Sequence, residues 1–193
     1  MKYLHTAIAA LLLISANLAN AGWTLSNELS SVTLVTTKAT HIAEVHHFKQ
    51  LSGSVSPGKA KVVIDLASIH TNIDIRDQRM REMLFNTATF ASATIKANVD
   101  TQALASLKVG EQLTQNLTGS LSLHGKTQDL DLGPVSIVRL TEGRLLVNNQ
   151  RPILVNAGSF DLAAGVEKLR TVAGLPSISN AVPVSFHLIF EKK

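Results

Sequence analysis

The sequence predicts a mainly β fold: a single antiparallel β-barrel of about eight strands with two short helices. Most segments alternate apolar and polar residues with the period of two that is typical of a strand with one buried face. Glycine and proline turns separate these segments at short intervals. The chain contains no internal repeat or linker, so the strands belong to one domain. Closure into a barrel removes the exposed edges of such a sheet.

The first residues predict a secretory signal peptide. Lys2 gives a weakly positive start, residues 7–14 form a short apolar run, and Ala19-Asn20-Ala21 matches the small-x-small rule for cleavage. The apolar run is shorter than the roughly 20 residues that a membrane span needs. We therefore expect a signal peptide at 1–21, one domain at 22–193, and export to the periplasm without stable insertion into a membrane.

The strands of the first half follow directly from the alternation. They are predicted at residues 23–25, 32–36, 41–48, 53–55 and 59–66. Pro57-Gly58 is a strong turn signal between the last two. In the strand that follows, Val62 and Ile64 share one face while Lys61 and Asp65 share the other. This pattern predicts a sheet with one buried face and one wet face.

A charge-dense segment then interrupts the strands and predicts the first helix. Asp74 is a good N-cap, and Asp77 follows three residues later. Met80, Met83 and Leu84 fall on one helical face, which leaves the charged positions on the other. In particular, Arg79, Arg81 and Glu82 are expected to face away, and Asp77 is placed to pair with Arg81. So short a helix must be held by apolar packing.

The second half returns to strands. They are predicted at 94–100, 117–124, 128–132, 135–140, 144–148, 153–156 and 182–190. Between the last two, Asp161 is predicted to cap a second helix that carries Leu162, Val166 and Leu169 on one face, and Gly174 ends it.

Composition excludes several classes of partner. The formal net charge is +4, from 18 Lys and Arg against 14 Asp and Glu, and these charges are scattered along the chain. Aromatic residues make up 4% of the chain, too few for the stacking platforms that bind single-stranded nucleic acid. One Trp and one Tyr cannot form the aromatic girdles of an outer-membrane barrel. We expect neither nucleic acid nor a cofactor as a partner.

Two motifs together resemble the YceI family of periplasmic proteins. The first runs from Ser68-Ile69-His70-Thr71 through Arg76-Asp77 to the strand entry Phe90–Ile95, and the second is Gly119–Thr127. The chain departs from the family pattern at Arg79, where His is usual, and at Met80, where Leu is usual. It also carries the predicted second helix in place of a Phe- and Gly-rich stretch. The resemblance implies a lipocalin-like barrel of a divergent subgroup, whose lumen binds an isoprenoid-type lipid or an isoprenoid quinone.

Inward-facing apolar positions are the candidate lumen residues. They are Val62, Ile64, Leu66, Ile95, Leu121, Leu123, Val184, Phe186 and Leu188. These positions form the core if the barrel is filled and line the ligand if it is hollow, and the sequence does not choose between the two. Arg76 is the candidate contact for a polar head group, although a structural role at the start of the helix is the stronger interpretation.

The remaining polar residues favour binding over catalysis. His41, His46 and His47 invite a metal site, but adjacent strand residues point to opposite faces, and no acidic or His cluster completes a ligand set. No nucleophile elbow is present, so we expect no catalytic residue and no enzyme activity. A hydrolase stays open, as do a stress-response or interaction module with a filled barrel, and a homodimer.

Overall fold

The computed structural model describes residues 22–193, so the predicted signal peptide lies outside the described residues. Twelve strands form one sheet. They are β1 (Trp23–Leu25), β2 (Ser31–Lys38), β3 (Ile42–Phe48), β4 (Leu51–Ser56), β5 (Lys59–Asp65), β6 (Ile69–His70), β7 (Ser92–Asn98), β8 (Gln112–Leu123), β9 (Lys126–Thr141), β10 (Arg144–Asn149), β11 (Ile153–Asn156) and β12 (Ala181–Lys192).

The sheet closes into an antiparallel barrel, which confirms the predicted fold class. Eight strands pair in the order β1-β4-β5-β7-β8-β9-β10-β12, and β12 pairs back with β1. Towards its start, β12 also pairs with β2. β2 pairs in turn with β3, and β3 pairs with β6, so these strands extend the barrel wall. A 3₁₀ turn at Asn27–Leu29 separates β1 from β2, and both lie beside β12, so they act as one interrupted strand.

One long strand replaces two that the sequence predicted. Residues 128–132 and 135–140 were expected to be separate strands, but β9 runs through both. Gly133 has φ of +63°, and the pairing register with β8 shifts between Leu117 and Thr118 at this point. A glycine at positive φ is typical of a bulge, which bends a strand without ending it.

The first helix differs in detail from its prediction. It starts as the α-helix α1 (Asp74–Arg79) and continues as a π-helical segment (Met80–Phe85). The N-cap is Ile73 and not Asp74, which lies inside the helix, so that cap was predicted wrongly. In the π segment the hydrogen bonds span five residues, so the residues after Met80 rotate away from α-helical positions. Phe85 is therefore buried, and Met83 is turned away from the cavity wall.

Two more α-helices follow, and the sequence missed the first of them. The helix α2 (Thr101–Ser106) is capped by Asp100, whose carboxylate accepts from two backbone N–H groups at 3.0 Å. The third, α3 (Ala163–Val172), begins after Leu162, whereas Asp161 is in a left-handed turn with φ of +56° and does not cap it. Within residues 22–193 no helix is long and apolar enough to cross a membrane.

The two ends of the barrel are built differently. At one end the backbone carbonyl of Leu104 in α2 accepts a 2.9 Å hydrogen bond from the buried Arg139 guanidinium. Arg139 also lies 5.5 Å from the ring centre of Trp23, so one guanidinium contacts both α2 and β1. At the other end, α3 packs on the π segment. A Cβ atom built on Gly165 would lie 2.8 Å from the Met83 carbonyl oxygen, so only glycine permits this close approach.

Candidate functional site

The barrel is hollow, and its interior is the candidate site. The cavity has a volume of about 480 Å³, within the range of roughly 300–1,000 Å³ that is typical of small-molecule sites. All nine candidate lumen residues lie on its wall. They are Val62, Ile64 and Leu66 with Ile95 on one side, Leu121 and Leu123 on β8, and Val184, Phe186 and Leu188 on β12. A cavity of this size agrees with a hollow barrel rather than a filled one. Contact of these residues with a ligand stays a prediction.

Strand alternation also positions the wall residues that the prediction omitted. Val32 and Leu34 on β2, and Val135 and Ile137 on β9, each lie two residues apart and face the cavity. The same period of two is visible in their sequence, so it could have found them. The wall is therefore almost entirely apolar, and water inside the cavity would find few hydrogen-bond partners.

Polar side chains line the cavity at one end. They come from β2, β3, α1 and the segment before β12, and they are Thr36, Lys38, Glu44, His46, Arg76, Arg79 and Ser179. Ile73, the N-cap of α1, and Ile75 within α1 also line the cavity and are about half exposed. We call this end, between α1, the β2–β3 hairpin and the end of α3, the mouth. A chain inside the aliphatic part of the cavity would have its polar end at the mouth.

Arg76 lies at the mouth, but protein groups already use its hydrogen bonds. Its Nε donates to Thr71 Oγ1 at 2.8 Å, one Nη donates to the Thr71 carbonyl at 2.6 Å, and the other donates to Glu44 Oε2 at 2.8 Å. The guanidinium therefore ties α1 to the end of β6 and to β3. This arrangement matches the structural interpretation of Arg76, and a head-group contact by Arg76 stays untested.

Asp77 supports the same junction from inside. Its carboxylate, which is 5% exposed as a residue, accepts hydrogen bonds from both the backbone N–H and the hydroxyl of Thr71. Burial raises the pKa of Asp77, but these hydrogen bonds and the nearby His70 outweigh it and leave the pKa below its ordinary value. The predicted pair with Arg81 does not form, because the Asp77 carboxylate points back to the residues before the helix.

Glu44 connects the hairpin to the helix. Its carboxylate lies 2.8 Å from Lys38 Nζ and 2.8 Å from an Arg76 Nη. The hydrogen bond from Lys38 lowers the pKa of Glu44, partial burial opposes this, and the Arg76 charge lowers it further. Glu44 is therefore ionised near neutral pH and holds two cations.

The histidine pair of β3 splits as predicted, with one ring on each face. His46 is 3% exposed and lines the cavity, and its Nε2 lies 2.9 Å from Thr36 Oγ1. Its Nδ1 is buried without a hydrogen-bond partner in the described part of the chain. Burial lowers the pKa of His46, and the Arg76 charge lowers it further, so the ring is neutral near pH 7. His47 faces outward against His70, at 5.1 Å between ring centres.

No metal centre assembles around these histidines. His41 lies exposed at the hairpin, away from the buried His46. Among residues 22–193 no group of three or more His, Cys, Asp or Glu side chains is placed to hold a metal ion.

Arg79 is the mouth residue that the sequence analysis misplaced. It was expected to face away from the apolar side of the helix, yet it lines the cavity and is half-buried. Within residues 22–193 its side chain has neither a hydrogen-bond partner nor a carboxylate within 4 Å. The pattern placed Arg79 outward because Met80, Met83 and Leu84 were taken as the whole inner face.

Comparisons with known proteins agree with this architecture. The family model described as the YceI-like domain matches residues 23–190. A solved polyisoprenoid binding domain from Saccharophagus degradans, implicated in plant cell wall breakdown, is 41% identical, with a TM-score of 0.87. The match covers 90% of this chain and 99% of that one. No curated protein matches this chain.

More distant structures share the fold alone. BcnA from Burkholderia cenocepacia is 19% identical with a TM-score of 0.64, over 86% of this chain and 98% of that one. A Campylobacter jejuni YceI protein is 13% identical with a TM-score of 0.52, over 77% and 84%. The family model spans nearly all of the described residues, and the resemblance seen in the two sequence motifs is thereby confirmed. The chain belongs to the YceI-like domain family.

Proposed function

We propose that the protein is a periplasmic binding protein that holds a long isoprenoid-type lipid inside its barrel, for transport, storage or sequestration, without catalysis. The observation that carries the proposal is the apolar cavity of about 480 Å³ inside the barrel, with its polar residues confined to the mouth. Such a cavity fits a molecule with a long apolar chain and a small polar end.

The energetics of the wall support a lipid ligand. Each methylene that moves from water to this wall contributes about 0.8 kcal/mol, so a five-carbon isoprene unit contributes roughly 3–4 kcal/mol. Micromolar affinity requires about 8 kcal/mol net. A few buried isoprene units therefore exceed the costs of association and of ordering the chain. Isoprenoid quinones satisfy the same requirement and belong to the same proposal.

The related solved domain supports the chemical class of the ligand. At 41% identity over 99% of its length, the domain from Saccharophagus degradans is described as polyisoprenoid binding. A barrel that matches it with a TM-score of 0.87 is expected to accept a similar chain. The signal-peptide pattern at 1–21 supports export, and the bound lipid would need a protein carrier in an aqueous compartment.

The mouth supports binding better than catalysis. The closest approach to a nucleophile and base pair is Thr36 Oγ1 with His46 Nε2, at 2.9 Å. A working base of this kind needs a third group that orients the other ring nitrogen. In the described residues His46 Nδ1 has no such partner.

Native mass spectrometry of the full-length chain, expressed with its leader and recovered by fractionation, tests the proposal. We expect the protein in the periplasmic fraction, shortened by residues 1–21, with an added mass that organic solvent releases as an isoprenoid. Cytoplasmic recovery of the uncut chain would contradict the export. A lipid-free protein that also fails to bind added polyprenols would contradict the binding function.

A further inference from the structure

The charges at the mouth are unequal. Four charged side chains line the cavity: Lys38, Arg76 and Arg79 are cations, and Glu44 is the single carboxylate. The carboxylate of Glu44 holds Lys38 and Arg76 together at 2.8 Å each. Asp77, buried beneath, adds a second negative charge, which reaches Arg76 through Thr71. Three cations thus face two carboxylates, and the excess charge is positive.

The excess positive charge is that of Arg79. Arg76 has three hydrogen bonds to protein groups, and Lys38 has its ion pair with Glu44. Arg79 lines the same cavity one helical turn further along α1, with no such partner among residues 22–193. A half-buried guanidinium without a counter-charge favours the binding of a ligand that carries a negative charge. An ionised partner forms stronger hydrogen bonds with it than a neutral partner does.

The surroundings of Arg79 strengthen this interaction. Apolar side chains such as Met80 and Leu84 line the same cavity, which keeps the dielectric there below that of water. Rigid pairing of Arg76 and Glu44 holds α1 in place, so Arg79 is presented on a fixed element.

We propose that the mouth selects an apolar chain with an anionic head group, a phosphate ester or a carboxylate, and that Arg79 is the residue that binds this anion. The inference rests on the proposed lipid-binding function and adds the charge of the head group to it. It replaces Arg76, the candidate from the sequence, with Arg79, and it gives Arg76 the part of a positioning residue.

Three ligands that share one apolar chain distinguish the binding of a lipid from the selection of an anionic head group. Geranylgeranyl phosphate, geranylgeranoic acid and geranylgeraniol share their apolar chain and differ only in the head group. Isothermal titration calorimetry of the full mature protein should give tighter binding for the two anions than for the alcohol. Arg79→Gln should weaken both anions about tenfold and leave the alcohol within about twofold. Arg79→Lys, which keeps the charge, should restore part of the loss.

Controls identify the source of the effect. Arg81→Gln removes the same charge from the same helical segment, but Arg81 does not line the cavity, so anion affinity should change less than about twofold. Salt near 1 M shortens the screening length to about 3 Å and should reduce the advantage of the anions. Inorganic phosphate alone should neither bind measurably nor displace the lipids.

The outcomes that overturn the inference are distinct from failure of the function. Equal losses for the alcohol and the anions in Arg79→Gln would show a general effect on the chain site. Equal losses in Arg79→Gln and Arg81→Gln would show an effect of net charge, and tight binding of inorganic phosphate would show a site for a free ion. If the alcohol and both anions all fail to bind the wild-type protein, the proposed lipid-binding function itself is wrong.

Discussion

The wall and the mouth of the barrel follow different rules. Along most of the wall the strands present alternate apolar residues to the cavity, so the chemistry of the wall repeats from one position to the next. The mouth is built from α1, the β2–β3 hairpin and the end of α3, and its side chains have individual partners, such as Arg76 with Thr71 and Glu44. The wall can supply affinity for any long apolar chain, whereas the mouth can distinguish one polar end from another.

The largest expected effect on lipid affinity comes from a substitution that fills part of the cavity. Ala97 lies in the cavity wall, paired across the sheet with Ala60. A phenyl ring in Ala97→Phe should displace on the order of three methylenes at about 0.8 kcal/mol each, which lowers lipid affinity about fiftyfold. Isothermal titration calorimetry measures this loss. The matched control is Ala43→Phe, on the outer face of β3. Equal affinity for wild type and Ala97→Phe would mean that the chain binds elsewhere.

Next in size is the loss of the Arg76 junction. Arg76→Gln removes hydrogen bonds to Thr71 and Glu44 from a side chain that is 24% exposed, so we expect a cost of about 1.5–3 kcal/mol in the free energy of unfolding. Arg79→Gln, without such partners, should cost less than about 0.5 kcal/mol. Urea unfolding of both variants measures the difference. Similar costs in the two variants would show that Arg76 and Arg79 contribute equally to stability, so that Arg76 is not the structural residue of the pair.

A smaller effect is expected where the two helices meet. Gly165→Ala gains about 1 kcal/mol of intrinsic helix propensity, but the new Cβ would lie 2.8 Å from the Met83 carbonyl oxygen. Separating α3 from the π segment should outweigh that gain and leave a net cost of about 1 kcal/mol. Gly143→Ala is the control, since no atom lies within 4 Å of its added Cβ. A higher melting temperature for Gly165→Ala than for the wild type would show that α3 and the π segment separate at little cost.

The smallest effect concerns pH and His46. Burial and Arg76 lower the pKa of His46 in the folded state, so the unfolded chain takes up a proton first as the pH falls below about 6.5. The stability contributed by the neutral buried ring is present above that pH and declines below it. Urea midpoints at about pH 7.5 and 5.5 should therefore differ less in His46→Gln than in the wild type. An equal difference would mean that other groups cause the pH dependence.

The wall could be predicted from the sequence because its pattern is local. The period of two placed all nine candidate positions on the inner face of the sheet. The need to pair the exposed edge strands predicted that the sheet closes into a barrel. Side-chain alternation does not reveal volume, so the hollow interior needed the structure. The mouth depends on distant contacts: Glu44 is 32 residues from Arg76, and no spacing rule reports that pair.

The helices were predictable only in part, for the same reason. The six residues of α2 are too few for a helical period, and its Asp100 cap and contact with Arg139 define it. The π segment that rotates Met83 outward packs on Gly165, which lies in a helix far along the chain. Arg79, now the candidate head-group residue, was placed on the wrong face because Met80, Met83 and Leu84 were taken as the whole inner face of the helix.

A crystal structure of the mature protein with geranylgeranyl phosphate would show whether the barrel interior holds the lipid chain. We expect continuous density for one extended chain within the barrel, running along Leu121 and Phe186, with the phosphate at the mouth beside Arg79. A barrel in which side chains collapse to fill the cavity, with the lipid outside it or absent, would show that the interior is not the binding site.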